Sequence, residues 1–224
     1  MILMLVCTEG KVSEPAYIDA LVAALGGQAP RNISKNVDVL PIPLSGNHGH
    51  AKLIEIANRA VELYSRDSIV SLAGEEDTIE KWIIVDYDDM DKHGVVVADL
   101  MAQAEAAGYI LVVNKPKFEF FVLTQLAGID AARSVSPALY ASNINAYINE
   151  LNETDKNNKG FSKGMLMPSY SKKKHKAKKL FDLLLGYHPE LIDKAMALSI
   201  DINEDCYTEM PKIVRRIKEL YDQD

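Results

Sequence analysis

The chain has 224 residues, of which 48% are hydrophobic and 25% charged, and its formal net charge is -7. This composition is typical of a folded globular protein and argues against a disordered chain, while the negative charge argues against a surface that binds nucleic acid over its whole extent. The two cysteines, Cys7 and Cys206, are too few and too far apart for a disulfide framework or a thiolate zinc site.

The first predicted element is a strand over residues 2–7, which form a continuous apolar run. A helix is predicted from Glu14, with Ser13 as its N-cap, and Gly26 ends this helix. Short apolar runs and longer amphipathic stretches then alternate as far as residue 128. The further strands are predicted at 37–41, 82–85 and 109–113, and the further helices at 50–66, 95–107 and 118–127. Four such units predict an α/β fold, a doubly wound parallel sheet of about four strands in the order 2-1-3-4.

The pattern changes after residue 128. Residues 129–170 are rich in Ser, Asn, Lys and Gly, which predicts irregular structure. Helices are predicted after that segment, at 172–185, 189–199 and 211–221. We therefore predict two parts, an α/β core over residues 1–128 and a mainly helical C-terminal appendage over residues 129–224.

The sequence gives no sign of a membrane segment. No apolar run reaches the ~18 to 20 residues that span a bilayer, and the apolar start MILMLVC lacks the basic residues and the cleavage site of a signal peptide. We therefore expect a soluble cytoplasmic protein without a membrane contact, and its oligomeric state stays open.

Acidic residues follow two strands that the order 2-1-3-4 makes neighbours. Glu9 follows the first strand, and Asp86, Asp88 and Asp89 follow the third. Because ligands of a doubly wound sheet bind where the strand order reverses, we expect these carboxylates to meet at one edge. Carboxylates at close range repel one another unless a cation lies among them, and oxygen donors suit Mg²⁺ or Mn²⁺. Gly10 would let a phosphate approach the backbone.

Each acid also has a plainer interpretation. Acids after strands are often loop residues or helix caps, and we interpret Asp89 as a capping or outer residue rather than a metal ligand. Glu14 is interpreted as a first-turn residue of a predicted helix, beside Pro15, and the alternative is a contact with the metal ligands that helps to position them. His48 and His50, in the loop SGNHGH, are interpreted as surface residues rather than metal ligands.

Two basic segments could hold a phosphate backbone. The segment NKPK places Lys115 and Lys117 near the predicted acidic edge. The segment SKKKHKAKKLF contains six lysines between Lys172 and Lys179, which would bind phosphates through counterion release. The alternative for this second segment is a solvated helix face.

Three segments, CTEGKVSEPAYIDAL, VDYDDMD and NKPKFEFFVLTQL, resemble the RloB-like family in order and spacing. Its pattern runs from C-x-E-G-x-x-T/S-E-P-x-Y through D-x-D-D to N-P-x-F-E-x-W/F, and the family belongs to the wider TOPRIM group of topoisomerases, primases and nucleases. The segment MPSYSKKKHKAKKLFDLL is similar to a Tyr-Lys segment of the family. Two departures are the insertion of Lys115 between Asn114 and Pro116, and Tyr87 at a position where the family often has Arg.

The resemblance implies a TOPRIM-like fold and Mg²⁺- or Mn²⁺-dependent hydrolysis of nucleic-acid phosphodiesters, in phage defence or abortive infection. It assigns Asp86 and Asp88 to the metal and Glu9 to the role of general base or second-ion ligand. Glu119 is a further ligand or, alternatively, an acid favoured by the helix dipole. The implied partners are DNA or RNA and a second defence protein. The expected substrate contacts are Gly10, Lys115, Lys117 and Lys172.

The sequence is also compatible with a second class of function. A non-catalytic module on the same fold would detect a nucleic acid or a phage protein and signal to a partner enzyme, and its binding would survive the loss of Glu9, Asp86 and Asp88. A small-molecule phosphotransferase would need a Gly-rich phosphate loop, which the sequence lacks.

Overall fold

The computed structural model of the chain describes residues 2–26, 37–44, 52–67, 78–87, 90, 94–159, 161–199, 201–202 and 204–222. Within these residues, five strands form one sheet: β1 (Ile2–Thr8), β2 (Val37–Pro43), β3 (Thr78–Asp86), β4 (Ile110–Lys115) and β5 (Tyr207–Thr208). The strand order is β2-β1-β3-β4-β5. The first four strands pair in parallel, and β5 pairs antiparallel to β4.

The helices of the described part surround this sheet. They are α1 (Ser13–Leu25), α2 (Leu53–Asp67), α3 (Val97–Ala106), α4 (Phe118–Ala127), α5 (Ile129–Arg133), α6 (Tyr140–Lys159), α7 (Lys174–Tyr187), α8 (Glu190–Ala197) and α9 (Met210–Asp222). None of the helices in the described ranges is long and apolar enough to cross a membrane.

The α/β class and the strand order 2-1-3-4 predicted from the sequence are confirmed. Side chains alternate along β1, because Met4 and Val6 lie in one core cluster and Leu3, Leu5 and Cys7 in another. Residues of α1, α4 and the C-terminal helices fill the first cluster, and residues of α2 and α3 fill the second. The sheet is therefore buried on both faces, which is why its strands are continuous apolar runs in the sequence.

Among the described residues the sheet has five strands, one more than the approximately four predicted. The additional strand, β5, contains only Tyr207 and Thr208 and pairs with Lys115 and Asn114 of β4. Two residues are too few to show the alternation by which a strand is recognised in a sequence. The C-terminal segment therefore extends the sheet at its β4 edge.

The irregular structure predicted for residues 129–170 is wrong, since this segment contains α5 and the 20-residue helix α6. The buried face of α6 combines apolar and polar residues at helical spacing: Tyr140, Ile144, Ile148, Asn152 and Asp155. Asn152 exchanges two hydrogen bonds of 2.9 Å with the backbone of Met167, and Asp155 Oδ2 lies 2.9 Å from His188 Nε2. Because the last two residues of this face are polar, the apolar periodicity is lost in the second half of the helix.

The C-terminal helices share the core of the first 128 residues. Phe181 of α7 packs against Tyr17 of α1, with ring centroids 5.5 Å apart, and its ring also lies 6.4 Å from those of Phe118 and Tyr170. The division into two parts at residue 128 stays a prediction, and this aromatic cluster is the place to test it.

We expect Phe181→Ala to lower the free energy of unfolding of the whole chain by about 3 to 5 kcal/mol, because it opens a cavity in a core that both parts share. Circular dichroism and tyrosine fluorescence should report one coincident transition in urea. The matched control is Phe161→Ala in the same part of the chain, where the half-buried ring packs against the exposed Tyr187, and about 1 kcal/mol is expected. Two separate transitions, only one of them shifted by Phe181→Ala, would show that the appendage folds independently.

Candidate functional site

The carboxyl ends of β1 and β3 bring together two of the acids predicted from the sequence. Thr8 pairs with Ile84 in the parallel register, and the N–H of Glu9 donates to the carbonyl oxygen of Ile84 at 3.0 Å. Glu9 Oε2 in turn accepts the backbone N–H of Asp86 at 3.1 Å. The strand order reverses between β1 and β3, so Glu9 and Asp86 lie at the position where doubly wound folds bind ligands.

Asp86 also holds the beginning of helix α4. Its Oδ1 accepts the backbone N–H of Phe118 at 2.8 Å and lies 3.5 Å from Nδ2 of Asn114. Asn114 is fully buried, and its Oδ1 accepts the hydroxyl of Thr208 at 2.7 Å. This chain of contacts ties the end of β3 to β4, α4 and the C-terminal strand, and the sequence analysis did not identify Asn114 or Thr208 as members of the site.

Two further buried carboxylates, those of Glu14 and Glu119, lie near Asp86. Their side chains belong to the first turns of α1 and α4, and the residues are 6% and 5% exposed. We call Glu9, Glu14, Asp86 and Glu119 the acid cluster. The sequence analysis assigned Glu14 only a supporting role, although the structure buries it as deeply as Glu119.

Gly10 is in contact with the acid cluster. A Cβ atom at this position would overlap the carboxylate of Glu14, so a side chain at residue 10 would displace this buried acid. The structure thus gives the glycine a role in packing, and its approach to a phosphate stays a prediction.

A tyrosine and a lysine from beyond residue 128 reach the acid cluster. The Tyr170 hydroxyl donates to Glu119 Oε1 at 2.9 Å and lies 3.0 Å from Ser13 Oγ. Ser13 therefore does not cap α1 as predicted; its hydroxyl contacts Tyr170 instead. Lys172 Nζ lies 3.6 Å from Glu119 Oε1, with its side chain 78% exposed. Burial, reinforced by the charge of Glu119, raises the pKa of Tyr170, which keeps it an O–H donor.

Burial and repulsion from neighbouring acids make two members of the acid cluster, Asp86 and Glu14, difficult to ionise. Burial raises the pKa of Asp86 well above its ordinary value, and the charges of Glu14, Glu119 and Glu9 add to this rise against the opposing hydrogen bond from Phe118. Burial likewise raises the pKa of Glu14 from 4.5 to about 7, with Lys172 acting in the opposite direction. Negative charges therefore lie at close range in this site, and a bound cation would relieve their repulsion.

The donor atoms of this cluster are the carboxylate oxygens that suit Mg²⁺ or Mn²⁺. Within the described ranges, however, no three His, Cys, Asp or Glu side chains are grouped so that they could hold a metal ion. Asp88 and Asp89, together with His48 and His50, lie outside the described residues. The donor chemistry therefore fits a hard divalent cation, Glu9 and Asp86 are the described residues that would hold it, and the part of Asp88 stays a prediction.

The two lysines of the NKPK segment lie against aromatic rings. Lys115 Nζ is 5.0 Å from the ring centroid of Tyr87, and Lys117 Nζ is 6.0 Å from that of Tyr140. The inserted Lys115 thus places its charge beside Tyr87, the residue that stands where the resemblance leads one to expect an arginine. Lys117 lines an open cleft, which it shares with Glu119, Tyr170 and Lys172.

The lysine run continues from Lys172 into α7. Lys173, Lys174, Lys176, Lys178 and Lys179 are exposed, whereas Ala177, Leu180 and Phe181 face the core. Lys178 Nζ pairs with Asp182 Oδ2 at 2.8 Å, so part of this charge is balanced within the helix. The run is thus a basic helix face that begins beside the acid cluster.

A family model described as RloB-like protein matches residues 4–217. This range includes every residue of the acid cluster as well as Tyr170, Lys172 and Thr208. No match to a curated protein or to a solved structure accompanies the family match.

We expect the free energy of unfolding, measured in EDTA, to fall as the pH rises from about 4.5 to about 7. The folded protein holds the Glu14 proton more tightly than the unfolded chain, because burial raises its pKa from 4.5 to about 7. This contribution to stability is complete below pH 4.5 and is lost as the pH rises through about 7. Glu14→Gln should remove part of the fall, on the order of 2 kcal/mol.

The measurement is urea unfolding at several pH values between 4.5 and 7.5. Glu105→Gln, on the exposed surface of α3, serves as the matched control and should keep the wild-type pH dependence. A pH dependence that Glu14→Gln leaves unchanged would mean that Glu14 ionises normally in the folded chain.

Proposed function

The chain belongs to the RloB-like family, and we propose that it hydrolyses phosphodiester bonds of a nucleic acid with the help of Mg²⁺ or Mn²⁺. The observation that carries this proposal is the convergence of Glu9 and Asp86 where the strand order reverses, with Glu14 and Glu119 buried beside them. Burial and neighbouring charges raise the pKa values of Asp86 and Glu14, which is costly for folding, and perturbed pKa values of this kind are typical of functional sites.

The family resemblance adds a TOPRIM-like fold and a setting in bacterial phage defence to this proposal, with a second defence protein as a partner. The sheet order and the position of the acids are compatible with such a fold. The bound ion, held by Glu9 and Asp86 and by Asp88 as the resemblance implies, would polarise the phosphoryl group and stabilise the leaving oxygen.

The residues of the chain itself would divide the remaining tasks. Glu9 would either bind the ion or accept the proton of the attacking water, and the hydrogen bond from the Asp86 backbone orients its carboxylate for both roles. Lys172, which is largely exposed beside Glu119, would contact a phosphate oxygen of the substrate. Tyr170 donates to Glu119 and thereby fixes the position of this acid and of the salt bridge with Lys172.

Incubation with end-labelled DNA and RNA, single-stranded and duplex, should show cleavage in Mg²⁺ or Mn²⁺ and none in EDTA. Glu9→Gln and Asp86→Asn should each lower the cleavage rate by about 100-fold or more, because they remove the proton acceptor and a metal ligand. Glu105→Gln is the control for a loss of one acid and should cleave normally.

The melting temperature in EDTA separates a catalytic from a structural role of Asp86. The amide oxygen of Asn can still accept the Phe118 N–H, and one repelling charge disappears, so Asp86→Asn should melt at or above the wild-type temperature. A large fall in melting temperature would indicate an aspartate that only caps α4. Binding of nucleic acid without cleavage, unchanged in both variants, would indicate a sensor module instead of a nuclease.

The lysine run should contribute to the salt dependence of nucleic-acid binding. Replacing Lys173, Lys174 and Lys176 with Gln removes up to three phosphate contacts, so the slope of log affinity against log salt for duplex DNA should become shallower by ~2.7. A triple variant at lysines of other helices, the exposed Lys156 and Lys194 and the half-buried Lys218, is the control and should keep the wild-type slope. Fluorescence anisotropy in EDTA at several salt concentrations measures both. Equal slopes in the two triple variants would indicate that the lysine run is a solvated helix face that does not contact the nucleic acid.

A further inference from the structure

An open cleft of about 190 Å³ lies beside the acid cluster. Lys117 and Glu119 at the start of α4 form one side of it, Ala138 and Ala141 around the start of α6 form the second, and the Tyr170–Lys172 segment forms the third. Glu119 belongs to both the cleft and the acid cluster, so a group held in the cleft lies directly next to the site of the proposed chemistry.

We propose that this cleft binds one unpaired nucleotide unit of the substrate strand, next to the phosphodiester that is cleaved. The proposal rests on the proposed function and names its substrate class, a strand with at least one unpaired nucleotide. Three properties of the cleft support it: the charged groups that line it, its wall of small apolar residues and its volume.

The charged groups of the cleft are arranged for a ligand with two chemically different ends. Lys117 and Lys172 provide two ammonium groups, which attract a phosphate. The Glu119 carboxylate would repel a phosphate but accepts hydrogen bonds, so the part of the ligand beside it must be a donor such as a sugar hydroxyl or a base amine. A nucleotide has both kinds of group within one unit.

The apolar wall and the volume of the cleft further restrict the kind of ligand that it can bind. Pro137, Ala138 and Ala141 give the cleft a side of small apolar residues, which suits the flat face of a base or a sugar. The volume of about 190 Å³ is below the ~300 Å³ at the lower end of pockets that enclose a whole small molecule. The open cleft therefore suits one nucleotide, part of which stays outside it, better than a substrate that must be fully enclosed.

A nucleotide within a duplex cannot enter such a cleft while it stays paired and stacked. Entry requires an unpaired or flipped-out nucleotide, and flipping costs a few kcal/mol in an intact duplex. We therefore infer that single strands, or duplexes with unpaired nucleotides, bind at the acid cluster more tightly than intact duplexes do.

The direct test measures binding of AMP and of dAMP in EDTA by ligand-observed NMR, so that no cleavage is involved. Ala141→Phe fills the cleft from an exposed position and should weaken binding of both nucleotides at least tenfold, whereas Ala146→Phe, exposed on the same helix but outside the cleft, should leave it unchanged. Lys117→Gln should weaken AMP more than adenosine. Tighter binding of AMP than of dAMP would assign the Glu119 contact to the ribose 2′-hydroxyl, and equal binding would assign it to the base.

A second measurement compares single-stranded and duplex oligonucleotides in EDTA. Ala141→Phe should weaken binding of the single strand selectively and leave binding of the duplex unchanged.

Absence of AMP and dAMP binding, binding that Ala141→Phe does not affect, or inorganic phosphate that competes as well as AMP would overturn the inference. If the wild type cleaves nucleic acid while the cleft binds no nucleotide, the proposed function stands and only the cleft assignment fails. If AMP binds as described while no cleavage occurs, the cleft assignment stands and the nuclease fails.

Discussion

The hydrogen bond from the Phe118 backbone to Asp86 is the contact on which the rest of the candidate site depends. It joins the end of β3 to the first residue of α4, while the backbone of Asp86 holds the carboxylate of Glu9. Glu119 follows one residue after Phe118 in α4, so the same contact sets the distance between Glu119 and Asp86. Burial raises the pKa of Asp86 in this position, and the protein therefore keeps a hydrogen-bonded arrangement of acids that is electrostatically unfavourable without a cation.

The C-terminal part of the chain completes this site from two sides. Tyr170 and Lys172 reach Glu119, and Thr208 holds Asn114, which lies beside Asp86. The shared aromatic core around Phe181 fixes helix α7 against α1 and so positions the segment that carries the tyrosine and the lysine. Residues 129–224 thus provide hydrogen bonds and the Lys172 ammonium group to the acids at the sheet edge.

The features predicted correctly from the sequence are those with a local physical signal. Strands β1, β3 and β4 are buried on both faces and appear as apolar runs, and the common order 2-1-3-4 then brings Glu9 and Asp86 to one edge, as the structure has them. The contact of Tyr170 with Glu119 spans 51 positions and has no local pattern, so it could not be predicted from the sequence. Ser13 has the sequence position of an N-cap, but a tertiary contact with Tyr170 occupies its hydroxyl. The polar residues on the buried face of α6 likewise removed the periodicity that identifies a helix.

The central claim is that Glu9 and Asp86 hold a divalent cation at the sheet edge, and titration with Mn²⁺ at pH 6.5 tests it most directly. Because the pKa of Glu14 is raised to about 7 and that of Asp86 well above its ordinary value, Mn²⁺ binding should release protons. Isothermal titration in two buffers of different ionisation enthalpy measures that release, and Mn²⁺ electron paramagnetic resonance counts the bound ions. We expect saturable binding with proton release, and Asp86→Asn should weaken this binding at least tenfold. Absence of saturable binding, or binding that Asp86→Asn leaves unchanged, would contradict it.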